Sequence, residues 1–204
     1  MDGTVRFSKL SGSGNDFVCI DARDGQYGEV LASGRRVRQF ARALCHRGTG
    51  VGADGVIFAV RPEIEGVAHF QARFFEADGS EAELCGNGTA CFVRWVTANG
   101  WADGGEIRIL TPAGVVRGRL ADAPYVRVCI PDPQDLQTDL ELEALGRTWR
   151  CDALVTGVPH LVTYVDDVDE VHVDYWGAAL RHHARFRPRG VNANFVQVLG
   201  EGRL

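Results

Sequence analysis

The segment from Cys85 to Gly100, with the sequence CGNGTACFVRWVTANG, constrains the fold more than any other part of the chain. Small residues lead into a run of apolar side chains that has almost no polar face, and Asn99-Gly100 closes the run as a helix C-terminus. A helix that is apolar nearly all round is buried on every side. We therefore expect the rest of the chain to wrap around this helix, with Cys85 just before its N-terminus.

The composition is that of a globular protein, and it argues against several classes of function. The 204 residues are 45% hydrophobic and 24% charged, and no apolar stretch is long enough for a membrane span. A net charge of −5 argues against a nucleic-acid-binding surface. The N-terminus has no signal-peptide pattern, so we expect a cytoplasmic protein with neither a nucleic-acid nor a membrane partner.

Many short strands and few helices indicate an α+β fold. Apolar residues at helical spacing predict a helix from Ser33 to Gly48, with Ser33 as its N-cap and Gly48 at its end. A further helix is predicted over Asp174–His183. Strands are predicted over the following segments: Phe17–Ile20, Val56–Val60, Ala68–Phe75, Ile107–Leu110, Val115–Leu120, Ala153–Thr156, Leu161–Val165 and Phe195–Leu199.

The segment Gly50–Gly55 fits the G-x-G-x-x-G dinucleotide fingerprint in letters but not in context. That fingerprint follows a strand and opens a helix, whereas this segment follows a predicted helix and opens a predicted strand. We interpret it as a glycine-rich connection between the two elements rather than as a nucleotide site.

The six cysteines include neither a C-x-x-C pair nor a histidine at metal-binding spacing, so we predict no metal site. Such a cysteine is ordinarily a small buried apolar residue. Cys85 has a second interpretation, because the N-terminus of a helix lowers the pKa of a thiol and offers free amide donors to an anion. Cys85 is thus predicted to have the lowest pKa of the six thiols. The alternative, that Cys85 is a small buried residue with a purely structural role, stays open.

Several motifs, in order along the chain, resemble those of the diaminopimelate epimerase family. They are Phe7–Leu10, Gly14–Phe17, Gly52–Gly55, Ala77–Glu81 leading into Cys85–Gly88, Gly157–His160 and Val191–Phe195. The resemblance implies two pseudo-symmetric lobes, each a curved, mostly antiparallel sheet around a central helix, with the active site between them. The first lobe is expected over residues 1–122 and the second over residues 123–204.

The resemblance also implies the chemistry, which is cofactor-independent epimerisation of an α-carbon of diaminopimelate by two cysteines. One cysteine, as a thiolate, removes the α-proton, and the other, as a thiol, reprotonates the opposite face. Cys85 matches the first cysteine, and His160 matches a histidine that tunes cysteine acidity. Four residues match substrate-contacting positions: Asn15, Gly86, Asn87 and Asn192.

The sequence independently favours chemistry without pyridoxal phosphate. That cofactor needs a lysine for its Schiff base, and Lys9, the only lysine, lies in a predicted strand. We expect no cofactor and a small amino acid as the ligand.

Three positions depart from the family pattern. Ala90 stands where the family has an arginine, and Glu76 and Val158 stand where the family has asparagines that contact the substrate. The departures at Glu76 and Val158 leave the identity of the amino acid open. The alternatives are a racemase of a different amino acid on the same fold and a non-catalytic amino-acid-binding relative. A homo-oligomer is compatible with each of them.

The family continues beyond the position of Leu204 with a Glu-Arg pair, the second cysteine and the central helix of the second lobe. We therefore expect the second lobe to be incomplete and the 204-residue chain not to invert configuration by itself. Cys129 and Cys151 lack the glycine-rich, helix-leading context of Cys85, so neither is expected to replace the second cysteine.

Overall fold

The computed structural model describes residues 4–204, which form two compact units that divide between Ile130 and Pro131. The first unit comprises β1 (Ser8–Gly12), β2 (Asn15–Asp21), α1 (Gly28–Leu31), α2 (Gly34–Cys45), β3 (Gly55–Val60), β4 (Phe70–Glu76), β5 (Glu81–Ala82), α3 (Gly86–Ala98), β6 (Ile107–Thr111), β7 (Gly114–Leu120) and β8 (Val126–Cys129). The second comprises β9 (Gln134–Ala144), β10 (Arg147–Val155), β11 (Pro159–Tyr164), α4 (Val173–Arg181), a short 3-10 helix (Ala184–Phe186) and β12 (Asn192–Val196).

The strands of the first unit form a sheet in the order β1-β2-β3-β4-β6-β7-β8, with β5 paired to β4. Two pairs, β2–β3 and β4–β6, are parallel, and the other neighbours are antiparallel. Helix α3 contacts β1 and β2 and also β7 and β8, so strands from both edges of the sheet reach the same helix. The predicted α+β class and the predicted sheet curved around a central helix are confirmed.

The predicted buried helix is α3, and it lies directly on the sheet because glycines face it. A β-carbon at Gly12 would lie 2.9 Å from the sulfur of Cys91, and one at Gly118 would lie 2.5 Å from a methyl carbon of Val93. Real β-carbons do not approach heavy atoms this closely, so only glycine fits at these two strand positions. The glycines therefore help to set the position of the helix that begins after Cys85.

The predicted helix that starts at Ser33 is α2, which packs against β3 and β4. The Ser33 side chain caps its first turn, as predicted. The predicted end at Gly48 is wrong, because the helix ends at Cys45. There the ring nitrogen Nδ1 of His46 accepts the backbone N–H groups of Gly48 and Thr49, both at 3.1 Å, and turns the chain away from the helix.

The second unit has a sheet in the order β12-β11-β10-β9, in which β11 and β12 are parallel. Helix α4, predicted over Asp174–His183, packs against β12. The core of this unit gathers Trp149 from β10, Leu161 from β11 and Leu180 from α4. Strand β9 was not predicted from the sequence, because most of its side chains are exposed and give no clear alternation of buried and exposed positions.

The predicted boundary after Asp122 and the observed division after Ile130 differ because of β8. Residues Val126–Cys129 pair antiparallel with β7 and so belong to the first sheet. Within residues 4–204, no helix combines the length and the apolar character that crossing a membrane requires.

Candidate active site

Cys85 lies where the chain enters α3. Its backbone is extended, and its carbonyl accepts the backbone N–H of Thr89 at 2.8 Å, which starts the helical hydrogen bonding. Its sulfur accepts the backbone N–H of Gly88 at 3.3 Å. The thiol therefore occupies an N-cap position that Ser, Thr, Asp or Asn usually fills, against the free amides of the first helical turn.

The two glycines after Cys85 have different roles. A β-carbon at Gly86 would meet no atom within 4 Å, so open space lies beside this backbone. A β-carbon at Gly88 would lie 3.0 Å from the ring of Phe74 and 3.3 Å from the β-carbon of Cys85. Gly86 leaves room for a ligand at the helix N-terminus, and Gly88 lets that terminus pack against β4.

The protonation state of Cys85 differs from the expectation. Burial raises the pKa of the Cys85 thiol above its ordinary value of 9.0, and the Glu76 carboxylate raises it further. Hydrogen bonds from the backbone N–H groups of Gly88 and Asn87 lower the pKa but do not offset the rise. The prediction of a lowered pKa is therefore wrong, because burial raises the pKa of the thiol more than the hydrogen bonds at the helix N-terminus lower it. Cys85 is predominantly a thiol at neutral pH.

Two predicted substrate-contacting residues, Asn15 and Asn87, form a direct pair. The side-chain nitrogen of Asn87 donates to the side-chain oxygen of Asn15 at 2.8 Å. The side-chain nitrogen of Asn15 in turn donates to a carboxylate oxygen of Asp54 at 3.1 Å. The first turn of α3 is thereby linked to the start of β2 and to the loop before β3.

Asp54 belongs to a charged cluster that the sequence reasoning did not assign to the site. Arg47 donates to Asp16 at 2.8 Å and to Asp54 at 2.7 Å, and Lys9 pairs with Asp16 at 2.8 Å. Arg47 and then Lys9 hold the pKa of Asp16 well below its ordinary range. The parallel register of β2 and β3 pairs Phe17 with Gly55 and so places Asp16 beside Asp54. An Asp shortly before each of the two predicted strands, Phe17–Ile20 and Val56–Val60, is the sequence signal that could have revealed them.

Glu76, one of the three departures from the family pattern, ends β4. Its backbone N–H donates to the carbonyl of Ser80 at 2.9 Å, and its carbonyl accepts the N–H of Gly79 at 2.8 Å, which closes the turn into β5. The residue is exposed, and its negative charge acts on Cys85. A charge therefore stands within electrostatic range of the thiol, where the family pattern has a neutral amide.

The other predicted residues lie in the second unit. His160 and Asn192 are register partners on the parallel strands β11 and β12, and Val158 is half-buried in the turn that enters β11. The side-chain oxygen of Asn192 accepts a hydrogen bond from Arg181 at 3.0 Å, and Nδ1 of His160 lies 3.4 Å from the side-chain nitrogen of Asn194. Burial lowers the pKa of His160 below 6.5, which leaves the imidazole neutral at neutral pH.

The remaining cysteines differ from Cys85 in their surroundings. Cys129 is exposed on the edge strand β8, and Cys151 is buried in β10 with its sulfur 3.5 Å from the hydroxyl of Thr163. Burial raises the pKa of Cys91 to about 11 and that of Cys45 to about 11. Within the part of the chain that the structure describes, no three His, Cys, Asp or Glu side chains are grouped so that they could hold a metal ion.

The sequence of this chain is similar to those of known diaminopimelate epimerases over nearly its whole length. The sequence profile of a family described as diaminopimelate epimerase matches residues 7–128. A diaminopimelate epimerase of Aquifex aeolicus is 40% identical over 204 aligned positions, which cover 97% of this chain and 70% of the relative. A diaminopimelate epimerase of a Hydrogenobaculum species is 38% identical, with coverage of 96% and 71%.

Solved structures of low sequence identity share the fold. A PhzF-family phenazine biosynthesis protein of Bacillus anthracis superimposes with a TM-score of 0.62 at 16% identity, covering 97% of this chain and 67% of that protein. A probable proline racemase of Agrobacterium radiobacter superimposes with a TM-score of 0.58 at 14% identity, covering 80% of this chain and 52% of that protein. At such identities the likeness concerns the fold alone.

Proposed function

The chain belongs to the diaminopimelate epimerase family, and on that premise we propose that it takes part in the epimerisation of an α-carbon of diaminopimelate, with Cys85 as one of the two proton-transferring groups that the reaction needs. The observation that carries the proposal is the position of Cys85. Its half-buried thiol caps a central helix, beside open space at Gly86 and a pair of ordered asparagine side chains.

Cys85 can act in both directions of a reversible proton transfer. As a thiol, its state at neutral pH, it gives its proton to the carbanion on its face while the C–H bond forms and the S–H bond breaks. In the reverse direction the thiolate takes the α-proton, and the N–H groups of Gly88 and Asn87 stabilise its charge. Inversion of configuration requires a second acid on the opposite face of the α-carbon.

The same end of α3 can hold the substrate. We propose that the α-carboxylate lies at the helix N-terminus beside Gly86, where backbone N–H groups and the helix dipole favour an anion. Asn15 and Asn87 add polar contacts for the carboxylate and ammonium of a zwitterion. The negative charge of Glu76 favours a ligand that carries an ammonium group nearby.

In the second unit we propose that His160 tunes the acidity of a cysteine and that Asn192 contacts the substrate, as the family resemblance implies. Arg181 holds the side-chain oxygen of Asn192, so the amide nitrogen is the end that remains for a ligand. A neutral His160 can donate or accept a hydrogen bond without adding charge.

A second candidate reaction is racemisation of a different amino acid, and Glu76 is the observation that favours it. A carboxylate in place of a neutral amide changes which group at the far end of the substrate's side chain the site accepts. A non-catalytic amino-acid-binding protein is the candidate from a different class.

Hydrogen exchange distinguishes these candidates. We expect the protein in deuterated water to replace the α-hydrogen of LL-diaminopimelate, as followed by proton NMR, with chiral chromatography reporting inversion. Cys85→Ser should reduce the exchange rate at least about 100-fold, since general acid–base groups contribute about that much or more. Cys129→Ser, at an exposed cysteine on β8, is the matched control and should leave the rate unchanged.

Each outcome selects one candidate. Exchange confined to another amino acid in a panel favours the racemase, and binding without exchange of any amino acid favours the binding protein. Full exchange activity in Cys85→Ser contradicts the assignment of the thiol.

We extend the proposal to a cytoplasmic location, where an enzyme of lysine synthesis would act, and to a homo-oligomeric state. Cell fractionation tests the first, and light scattering coupled to size-exclusion chromatography tests the second.

A further inference from the structure

Among residues 4–204, Asp54 is joined to the site through the side chain of Asn15. Its Oδ2 atom accepts the side-chain nitrogen of Asn15 at 3.1 Å and the backbone N–H of Asp16 at 3.1 Å, while its Oδ1 atom accepts Arg47 at 2.7 Å. Its own backbone N–H donates back to the carboxylate of Asp16 at 3.1 Å. These contacts hold the Asp54 carboxylate in place from both of its oxygen atoms.

A carboxylate accepts hydrogen bonds and donates none, so it can pair with only one end of a neighbouring amide. Asn15 must therefore turn its NH2 group toward Asp54, which directs its oxygen to Asn87. Asn87 must then present its own NH2 group to that oxygen, at 2.8 Å. The orientation of both amides follows from one acceptor-only group.

Fixing the two amides also fixes what they offer a ligand. One N–H of the Asn15 side chain donates to Asp54, and the other finds no acceptor in the described part of the chain and is left as a donor. The Asn87 nitrogen is engaged by Asn15 and by the carbonyl of Ser13 at 3.5 Å, and within residues 4–204 its side-chain oxygen accepts no hydrogen bond. The pair therefore presents one donor and one acceptor, which suits the carboxylate and the ammonium of an amino acid.

We propose that Asp54 is a positioning residue that sets the orientation of the Asn15 and Asn87 amides and so orders the donor and acceptor with which the site binds a zwitterionic amino acid. The part of this inference that concerns the ligand rests on the proposed function. The part that concerns the amides holds without any ligand.

Asp54→Asn tests the inference because asparagine can donate as well as accept. Arg47 donates to Oδ1 of Asp54, whereas Asn15 and the backbone N–H of Asp16 donate to Oδ2. The short, charge-assisted bond from Arg47 keeps the oxygen of the substituted side chain at the Oδ1 position. The NH2 group then takes the Oδ2 position and faces Asn15, so both amides must reverse. The double variant Asn15→Asp with Asp54→Asn restores an acceptor-only group next to Asn87 and should return that amide to its original orientation. Asp21→Asn is the control, since Asp21 also pairs with an arginine and its side chain is 40% exposed against 37% for Asp54.

The first measurement uses no ligand. In protein labelled with 15N-asparagine, the side-chain NH2 resonances of Asn15 and Asn87 should shift in Asp54→Asn, and hydrogen exchange of the Asn87 NH2 group should accelerate about tenfold. The Asn87 resonances should return toward their original positions in the double variant and stay unchanged in Asp21→Asn. Unaltered Asn87 resonances in Asp54→Asn overturn the inference.

The second measurement uses α-deuterium exchange of diaminopimelate. In Asp54→Asn we expect KM to rise about tenfold with kcat within about twofold, which a general loss of folded protein would not produce. An unchanged KM overturns the role in ligand binding. Absence of exchange in the unmodified protein counts against the proposed function instead, and the NMR result then decides the inference about Asp54 by itself.

Discussion

The backbone of Gly88 in α3 lies so close to Phe74 in β4 that a β-carbon on the glycine would stand 3.0 Å from the aromatic ring. The same β-carbon would stand 3.3 Å from that of Cys85. The contact fixes the position of the thiol over the sheet, because Gly88 has no side chain that would separate the first turn of the helix from β4.

Gly88→Ala and Gly86→Ala form a matched pair that tests this packing. The added methyl group should destabilise the protein by about 1–3 kcal/mol at Gly88, where the Phe74 ring must move. The methyl group at Gly86 meets no atom within 4 Å and should leave the free energy of unfolding unchanged or slightly raised. Urea unfolding of both variants measures the difference, and equal destabilisation at the two positions contradicts the packing argument.

Alkylation of Cys85 should require alkaline pH. Since burial raises the pKa of this thiol above 9.0, the thiolate fraction is small at neutral pH and still increases up to about pH 10. The rate of iodoacetamide labelling of each cysteine, measured by peptide mass spectrometry over a pH series, gives the midpoint. A Cys85 rate that levels off below about pH 8 would show that the amide hydrogen bonds outweigh burial.

Glu76→Gln should move that midpoint to lower pH. The negative charge of Glu76 raises the pKa of Cys85, so its removal should lower the midpoint. Glu63→Gln, an exposed acid on the loop before β4, is the control and should not move it. The prediction fails if both variants shift the midpoint equally.

The double variant Glu76→Asn with Val158→Asn should raise the turnover of diaminopimelate. It restores the two asparagines of the family pattern, and each buried polar group of a ligand that gains a partner contributes about 1–3 kcal/mol. Steady-state kinetics with LL-diaminopimelate, against each single variant, separates the two contributions. Turnover that is the same with and without the substitutions means that these positions do not contact the substrate.

The stability of the first unit should decrease in acid through Asp16. Arg47 and Lys9 hold the pKa of this carboxyl below its ordinary value of 3.8, so the folded state binds fewer protons than the unfolded state in this range. The stabilisation is present above about pH 4 and is lost as the pH falls toward the folded pKa. Urea unfolding at neutral pH and at about pH 3 should show a smaller decrease in Asp16→Asn than in Asp24→Asn, an exposed control.

The spacing of apolar residues was sufficient to predict the helices and strands in which buried and exposed side chains alternate regularly. The buried face of α2, its Ser33 cap and the apolar run of α3 all followed from spacing and residue type, because periodicity reflects burial directly. Strand β9 could not be predicted in this way. Its side chains are mostly exposed, so its place is set by backbone pairing with β10, which leaves no signature in the residues.

The position of Cys85 at the N-terminus of a buried helix could be predicted from residues 85–100, because small residues followed by an apolar run are typical of such a helix start. The acidity of its thiol could not be predicted in this way. The pKa depends on how much water the fold removes and on Glu76, which the sheet brings within range from another strand. The hydrogen bonds that join Asp54 to Asn15 and Asn15 to Asn87 likewise depend on the tertiary structure. They require the parallel register of β2 and β3 and the packing of α3 on the sheet, because contacts between residues distant in sequence exist only once the sheet has formed.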